Sequence, residues 1–272
     1  MIDCHLHLQD ERLYPQADAI ITRLREIGVK TLVVNGTEPG DWDRVAELSE
    51  RFPEVIPFFG LHPWRVNDAD PNWEDRLRHF LEHFPESGVG EIGLDKWIRG
   101  HDIEKQRDAF VRQLDLAREF HRPVTVHCLQ AWGQLLECLQ RGAFQGGQSD
   151  DLTLLGNVLL HSYGGPAEMV DDFLDAGAYF SISGYFFRPD KSEKLKVFKH
   201  IPDERQLIET DAPDMLPPSN WDLQQIGADG DTNHPANIAA IYDAIANWAG
   251  EDRTELISRV ETNFAAWISR EN

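Results

Sequence analysis

The sequence predicts an α/β protein: a (β/α)8 TIM barrel, formed as a single domain over residues 1–272, with an extra C-terminal helix. Three observations carry this. Eight strand-like segments alternate with helix-like ones through 272 residues, the signature of βα units around a parallel sheet. No shift in composition marks the start of a second domain. Residues able to ligate a metal recur at strand C-termini, where such barrels carry their active sites. An open doubly wound sheet is the alternative, and both the strand count and the even composition favour the barrel.

The first strand, Met1 to Leu8, puts Ile2, Cys4, Leu6 and Leu8 on one face and Asp3, His5 and His7 on the other, because strand side chains alternate with period two. Gln16 to Gly28 reads as a helix, with Ile20, Ile21, Leu24 and Ile27 at helical spacing and Gly28 as its stop. Thr31 to Val34 is an apolar strand ending at Asn35-Gly36, Trp42 to Phe52 is helical, and Val55 to Gly60 is a strand running into Leu61-His-Pro-Trp64. The helix Trp73 to Phe84 precedes a glycine-rich strand, Gly88 to Gly93. The long helix Ile103 to Phe120 sets Phe110, Val111, Leu114 and Ala117 on one face. Val124 to His127 is the fifth strand, Trp132 to Leu139 a helix, and Gly142 to Asp151 a polar surface loop. Val158 to His161 is the sixth strand, followed by a Gly164-Gly165 turn and a helix from Pro166 to Ala176. Ala178 to Ser183, a short helix Lys191 to Lys199 and the strand Gln206 to Glu209 complete the units. After an irregular stretch from Asp214 to Thr232, Pro235 opens a helix, Pro being favoured at that position. The last helix starts after Asp252, a cap paired with Glu255, and runs to about Ile268.

A hydrophobic share of 41% with 27% charged residues suits a globular protein. No apolar run approaches the ~18 residues of a membrane span, and the N-terminus lacks a signal-peptide pattern. Cys4, Cys128 and Cys138 form no disulfide or Cys-x-x-Cys pattern, which suits a reducing cytoplasm. Cys4 and Cys128 are expected as small buried side chains. With 26 Lys and Arg against 47 Asp and Glu, the net charge of −21 argues against an extended electrostatic footprint for nucleic acid. It leaves a phosphate substrate open, since a bound cation reverses the local field. Nothing points to an obligate protein partner.

His5 and His7 share one strand face, and imidazole is the commonest metal ligand. Taken alone, the pair could equally be polar residues on an exposed edge strand. Glu91 on the fourth strand, His127 and His161 at the ends of the fifth and sixth, and Asp211 after the eighth change that balance. Four histidines and two carboxylates suit two divalent ions better than one. Glu91 is the natural bridge, with His5 and His7 on one ion and His127 and His161 on the other. A hydroxide generated at the metals would be the nucleophile, and Asp211 would accept its proton and ligate. Mg, Zn and Mn all remain open as the ions.

The chain resembles the TatD family of metal-dependent hydrolases, within the amidohydrolase-like superfamily. The matching segments are Asp3-Cys-His-Leu-His7, Gly60-Leu-His-Pro63, Gly90-Glu-Ile-Gly-Leu-Asp95, Pro123-Val-Thr-Val-His127, His161-Ser-Tyr-Gly-Gly165 and Glu209-Thr-Asp-Ala-Pro213, with Asn233-His-Pro235 and Asn263-Phe264 further on. The resemblance implies a (β/α)8 barrel, a one- or two-metal site and phosphodiester hydrolysis, with members described as deoxyribonucleases. It implies His5, His7, Glu91, His127, His161 and Asp211 as metal ligands and His62 as a residue facing substrate. The chain departs from the family pattern at Thr232, where Arg is typical, at Lys96-Trp97, where an aromatic directly follows the Asp, and at His161-Ser-Tyr-Gly-Gly. These bear on substrate choice, not on the ligands.

His62, in a βα loop, is expected as a phosphate contact or general acid, the alternative being a turn residue before Pro63. Asp95 is expected to orient a ligand histidine, the alternative being a helix cap. His79, His83, His101, His121 and His200 lie on helices or at their ends and should face solvent. Trp64-Arg65, Lys96-Trp97, Arg99, Trp132, Tyr163 and Tyr185-Phe-Phe-Arg188 follow strands and could rim one mouth, with Arg65, Lys96 and Arg188 contacting phosphates and aromatics stacking on bases of single-stranded DNA. The alternative for each aromatic is a roof over the barrel. The expected function is a cytoplasmic, divalent-metal-dependent hydrolase of phosphodiester bonds, a TatD-type deoxyribonuclease with Asp211, Glu91 and His62 as catalytic residues. A hydrolase of a small ester, lactone or amide, and an inactive metal-binding protein, are the alternatives.

Overall fold

Runs such as Thr31–Asn35 are apolar at consecutive positions, and strands of that kind are stable when both faces are covered. In the computed structural model, which describes residues 1–145, 157–226 and 231–269, this is how they are used. The elements are β1 (Ile2–Leu6), α1 (Ala17–Glu26), β2 (Thr31–Asn35), α2 (Trp42–Arg51), β3 (Val55–Phe59), α3 (Trp73–His83), β4 (Gly88–Asp95), α4 (Ile103–Glu119) and β5 (Val124–Leu129). They continue with α5 (Trp132–Gln145), β6 (Val158–Leu160), α6 (Val170–Asp175), β7 (Ala178–Ser183), α7 (Ser192–Leu195), β8 (Gln206–Glu209), the short β9 (Gln225–Ile226) and β10 (Thr232–Asn233), then α8 (Ile238–Ala249) and α9 (Arg253–Ile268).

Strands β1 to β8 are parallel and neighbour one another in chain order, as the sequence predicts. Every residue of β1, β4, β7 and β8 is buried; β1 is flanked on both sides, and His7, just past its end, is only 12% exposed at its side chain, so the exposed-edge alternative for His5 and His7 does not hold. The barrel closes between β1 and β8 by a seam unlike a regular ladder. Asp211 N–H donates to His5 O at 3.0 Å and His7 N–H to Ala212 O at 2.7 Å. The buried Asp3 carboxylate accepts from Thr210 N at 3.0 Å and Thr210 Oγ1 at 2.6 Å.

Local signals fix most boundaries. Gly28 ends α1 in the left-handed region at φ +83°, open to glycine at little cost. Asp252 caps α9 by accepting from Thr254 N and Glu255 N. Three readings change. Val111 is exposed, and α4 instead turns Gln106, Ala109, Phe110, Gln113, Leu114 and Ala117 inward. The buried glutamines are retained because each clamps a strand end: Gln113 both accepts from Leu61 N and donates to Leu61 O, and Gln106 does the same for Asp95. α5 reaches Gln145, so 142–145 is helical, while the rest of the expected loop lies outside the described residues. The irregular stretch ends in the antiparallel β9–β10 pair.

Helices α8 and α9 hold the N-terminal ends of the strands. Tyr242 Oη donates to Ile2 O at 3.0 Å, Asn263 Nδ2 to Gln206 O at 2.9 Å and Trp267 Nε1 to Asn157 O at 3.1 Å. Trp267 is fully buried and packs its ring 5.6 Å from that of Phe58. The extra helix thus closes one end of the barrel and leaves the other for chemistry. Trp267→Ala should lower the unfolding free energy by ~3–5 kcal/mol through cavity formation, measured as a fall in the denaturant midpoint, with the metal content of the folded protein unchanged. Among the described residues, no helix is long and apolar enough to cross a membrane.

Candidate metal centre

Two of the strands that carry candidate ligands, β1 and β4, are irregular where the ligands sit. The β1–β2 register slips between Asp3 and Leu6, around His5, and the β4–β5 register slips between Val89 and Ile92, around Glu91. An extra residue in one strand breaks the alternation and re-aims a side chain. Glu91 N–H accordingly reaches across to Gly36 O at 2.8 Å. Gly93, at φ +151°, lets β5 approach: a Cβ there would stand 1.9 Å from His127 O. Glycine at this position therefore sets where His127 lies.

Glu91 is the centre of the site. Its Oε2 lies 3.4 Å from His5 Nε2 and 3.1 Å from His7 Nε2. Its Oε1 lies 2.8 Å from His161 Nε2, 3.0 Å from His127 Nδ1 and 3.3 Å from His62 Nε2. Asp211 Oδ1 adds to the first set, at 3.4 Å from His5 Nε2 and 3.5 Å from His7 Nε2. The two oxygens of one carboxylate thus face separate histidine sets. His5 and His161 join the sets by stacking, with ring centroids 4.1 Å apart.

Hydrogen bonds on the far side of the His7 and His127 rings decide what each presents inward. His7 Nδ1 faces Asn35 O at 2.8 Å, so that nitrogen carries the proton and Nε2 offers a lone pair. His127 Nε2 faces Asp95 Oδ2 at 2.9 Å, so Nδ1 offers the lone pair. His161 Nδ1 lies 3.5 Å from Glu209 Oε1. His62 is built the other way. Its Nδ1 accepts from Trp64 N–H at 3.2 Å, which leaves the proton on Nε2, a hydrogen-bond donor. Nitrogens of His7 and His127 set about 3 Å from carboxylate oxygens call for positive charge between them, carried by a proton on the ring or by a bound cation. Two groups of three could hold a bound cation as they stand, His5, His7 and Asp211, and His5, His161 and Glu209; in a third, His62, Glu91 and His127, the His62 tautomer leaves the holding to Glu91 and His127. A mixed imidazole–carboxylate donor set fits divalent metals.

Charge supports this. Burial disfavours ionised Glu91, yet the neighbouring histidines, His161 first, outweigh it and hold its pKa well below the carboxylate range. Burial would raise the Asp95 carboxyl too, but hydrogen bonds from His127 and Trp64 bring it to about 2. Burial lowers His62 to about 4, so it is a neutral ring near pH 7. In His7 the pull of Asp211 and Glu91 overcomes burial and raises the pKa well above normal, so the metal-free ring carries a proton on Nε2 that a divalent ion would displace. Asp3, which holds the seam, is pushed up to about 8 by burial.

The structure brings His5, His7, His62, Glu91, His127, His161 and Asp211 together. Glu209 joins them without having been assigned a role from the sequence. It accepts from the hydroxyls of Ser162 and Ser181 and stands behind His161. A signal existed: Glu209 and Asp211 are two apart at a strand end, so strand geometry aims both inward. Cys4 and Cys128 are buried small side chains, and His79, His83, His101, His121 and His200 are exposed.

A cavity of about 780 Å³ opens over the cluster. Of the expected rim, Trp64, Arg65 and Trp97 line it, while Lys96, Arg99, Trp132, Tyr163, Tyr185 and Arg188 are not among its lining residues. Tyr163 is fully buried and packs on Trp132 and Phe173, part of the roof. Arg188 covers the Tyr185 ring and lies 3.5 Å from Asp190. Arg12 and Arg44 line the cavity without having been expected there. Arg12 pairs with both Asp10 and Asp214.

Residues 2–269 match the family described as TatD related DNase. Proteins named 3'-5' ssDNA/RNA exonuclease TatD from Citrobacter koseri and Escherichia fergusonii are 28% and 29% identical over 264 residues, 97% of this chain and 96% of theirs. The crystal structure of a TatD homolog from Escherichia coli aligns with TM-score 0.85 at 25% identity, covering 98% of this chain and 97% of the other. A TatD family hydrolase from Entamoeba histolytica aligns with TM-score 0.83 at 20% identity over 98% and 97%, a likeness of fold.

Proposed function

The chain belongs to the family of TatD-related DNases, enzymes acting on phosphodiester bonds, and from that premise we propose that it hydrolyses single-stranded nucleic acid at the cluster around Glu91. The observation that carries the reading is Glu91 itself, one buried carboxylate whose two oxygens serve two histidine sets. The residues fit two divalent ions, with His5, His7 and Asp211 holding one, His127 and His161 the other, and Glu91 between them. The relatives' name suggests removal of nucleotides from a 3' end, as DNA or RNA. A single domain over 1–272 and a cytoplasmic setting complete the proposal, the latter supported by the buried thiols of Cys4 and Cys128, neither of which is in a disulfide.

Divalent ions held there would supply Lewis acidity, which acidifies water and offsets charge on the phosphate. The protein groups do the rest. Asp211, at the mouth of the first set, takes a proton from the attacking water. Neutral His62 donates from Nε2 to a phosphate oxygen, a preorganised contact. Asp95, held by Trp64 Nε1 at 2.7 Å, keeps His127 in the tautomer that ligates. Arg65 is the candidate phosphate contact on the rim; Lys96 and Arg188 would act only on strand extending past the cavity.

A substrate panel tests the reading. Single-stranded DNA, RNA, a bis-aryl phosphodiester, lactones and acyl amides are offered with Mg²⁺, Mn²⁺ or Zn²⁺. The expected result is hydrolysis of the nucleic acid strands and of the small phosphodiester, abolished by a chelator and restored by metal. Turnover of a lactone or amide with no phosphodiester cleaved would overturn it.

A further inference from the structure

Four large apolar side chains are exposed among the described residues: Trp64 at 46%, Trp97 at 61%, Val111 at 36% and Leu129 at 38%. Three of the four line the one cavity over Glu91. Single exposed apolar residues are ordinary on a surface, but a cluster at a cavity mouth marks a binding face. The backbone of this cluster and the Trp64 ring are tied down. Trp64 Nε1 donates to Asp95 Oδ2 at 2.7 Å, Trp97 N–H to Asp95 Oδ1 at 2.6 Å, and Lys96 N–H to Leu129 O at 2.9 Å. The carboxylate that holds the Trp64 ring and the Trp97 backbone is also the one that orients His127. The lining also holds charge, with Asp10, Arg12 and Asp214 tied in ion pairs.

A ligand filling this cavity must lay a flat apolar face on one wall while a phosphodiester reaches Glu91. A nucleobase, one sugar away from its phosphate, has that shape. Its faces are available only when it is unstacked, because a duplex hides them. We infer that Trp64, Trp97 and Leu129 form a stacking wall for an unpaired nucleobase adjoining the scissile phosphodiester. This rests on the function proposed above and names how the site selects single strands. The wall tolerates any base, since every base offers a π-face. It also needs no net positive surface, which reconciles a nucleic acid substrate with a net charge of −21.

Trp97 is the residue to test. Its indole is mostly exposed, so its loss leaves no core cavity, whereas Trp64 also steadies Asp95 and His127. In the metal-loaded enzyme, Trp97→Ala should raise KM for an ordinary single strand ~10-fold more than KM for a strand of abasic sites of equal length, and Trp97→Phe should recover most of the difference. A 2-aminopurine base in the strand should be quenched on binding to the wild type and much less by Trp97→Ala. Equal effects on both strands, or an unchanged KM with quenching intact, would overturn the inference, the latter leaving the wall to another occupant such as a protein surface. Failure of the underlying function looks different: the wild type would then cleave neither strand.

Discussion

Glu91→Gln should leave the barrel folded and reduce phosphodiester hydrolysis by at least ~10²-fold, the upper end of what losing even an outer partner of a metal ligand costs. The change keeps the volume of a buried side chain, so packing is retained. It removes a negative charge on which five imidazole nitrogens converge: those of His5, His7, His62, His127 and His161. It also turns one ligating oxygen into an N–H donor aimed at lone pairs. Both histidine sets lose their shared partner, so bound divalent metal, measured by elemental analysis after dialysis, should fall together with activity. Unchanged metal content and unchanged turnover would show that Glu91 is not the bridge.

Asp211→Asn separates proton transfer from binding. Its backbone stands at φ +51°, a conformation Asn adopts more readily than most residues, and its N–H to His5 O bond belongs to the backbone, so the seam survives. At saturating metal, kcat should drop ~10²–10⁴-fold, the range for a lost general base, with KM changing little. A kcat near the wild-type value, with the protein metal-loaded, would remove Asp211 from the mechanism.

Much of this centre is legible in the amino-acid sequence. His5, His7, Glu91, His127, His161 and Asp211 are recognisable because residue type and position at a strand end are local properties, and a parallel barrel gathers all strand C-termini at one mouth. The same locality explains the boundaries at Gly28 and Asp252. What failed was non-local. Val111 has the spacing of the inner helix face, yet the buried positions are set by strand ends at Leu61 and Asp95 that call for Gln113 and Gln106. Tyr163 and Trp64 look alike as aromatics after strands, but one packs on Phe173 inside and the other stands at the cavity.

The sequence by itself determined the architecture, the ligand types and the family, because these follow from periodicity and from motifs within a few residues. Only the tertiary structure decided which Glu91 oxygen meets which histidine, which nitrogen of His62 keeps its proton, that Glu209 stands behind His161, and which tryptophans remain exposed. The physical reason is that each depends on partners far apart in the chain: Asp3 on Thr210, Ser162 on Glu209, Trp64 on Asp95. Two register slips, in β1 around His5 and in β4 around Glu91, are likewise invisible to alternation.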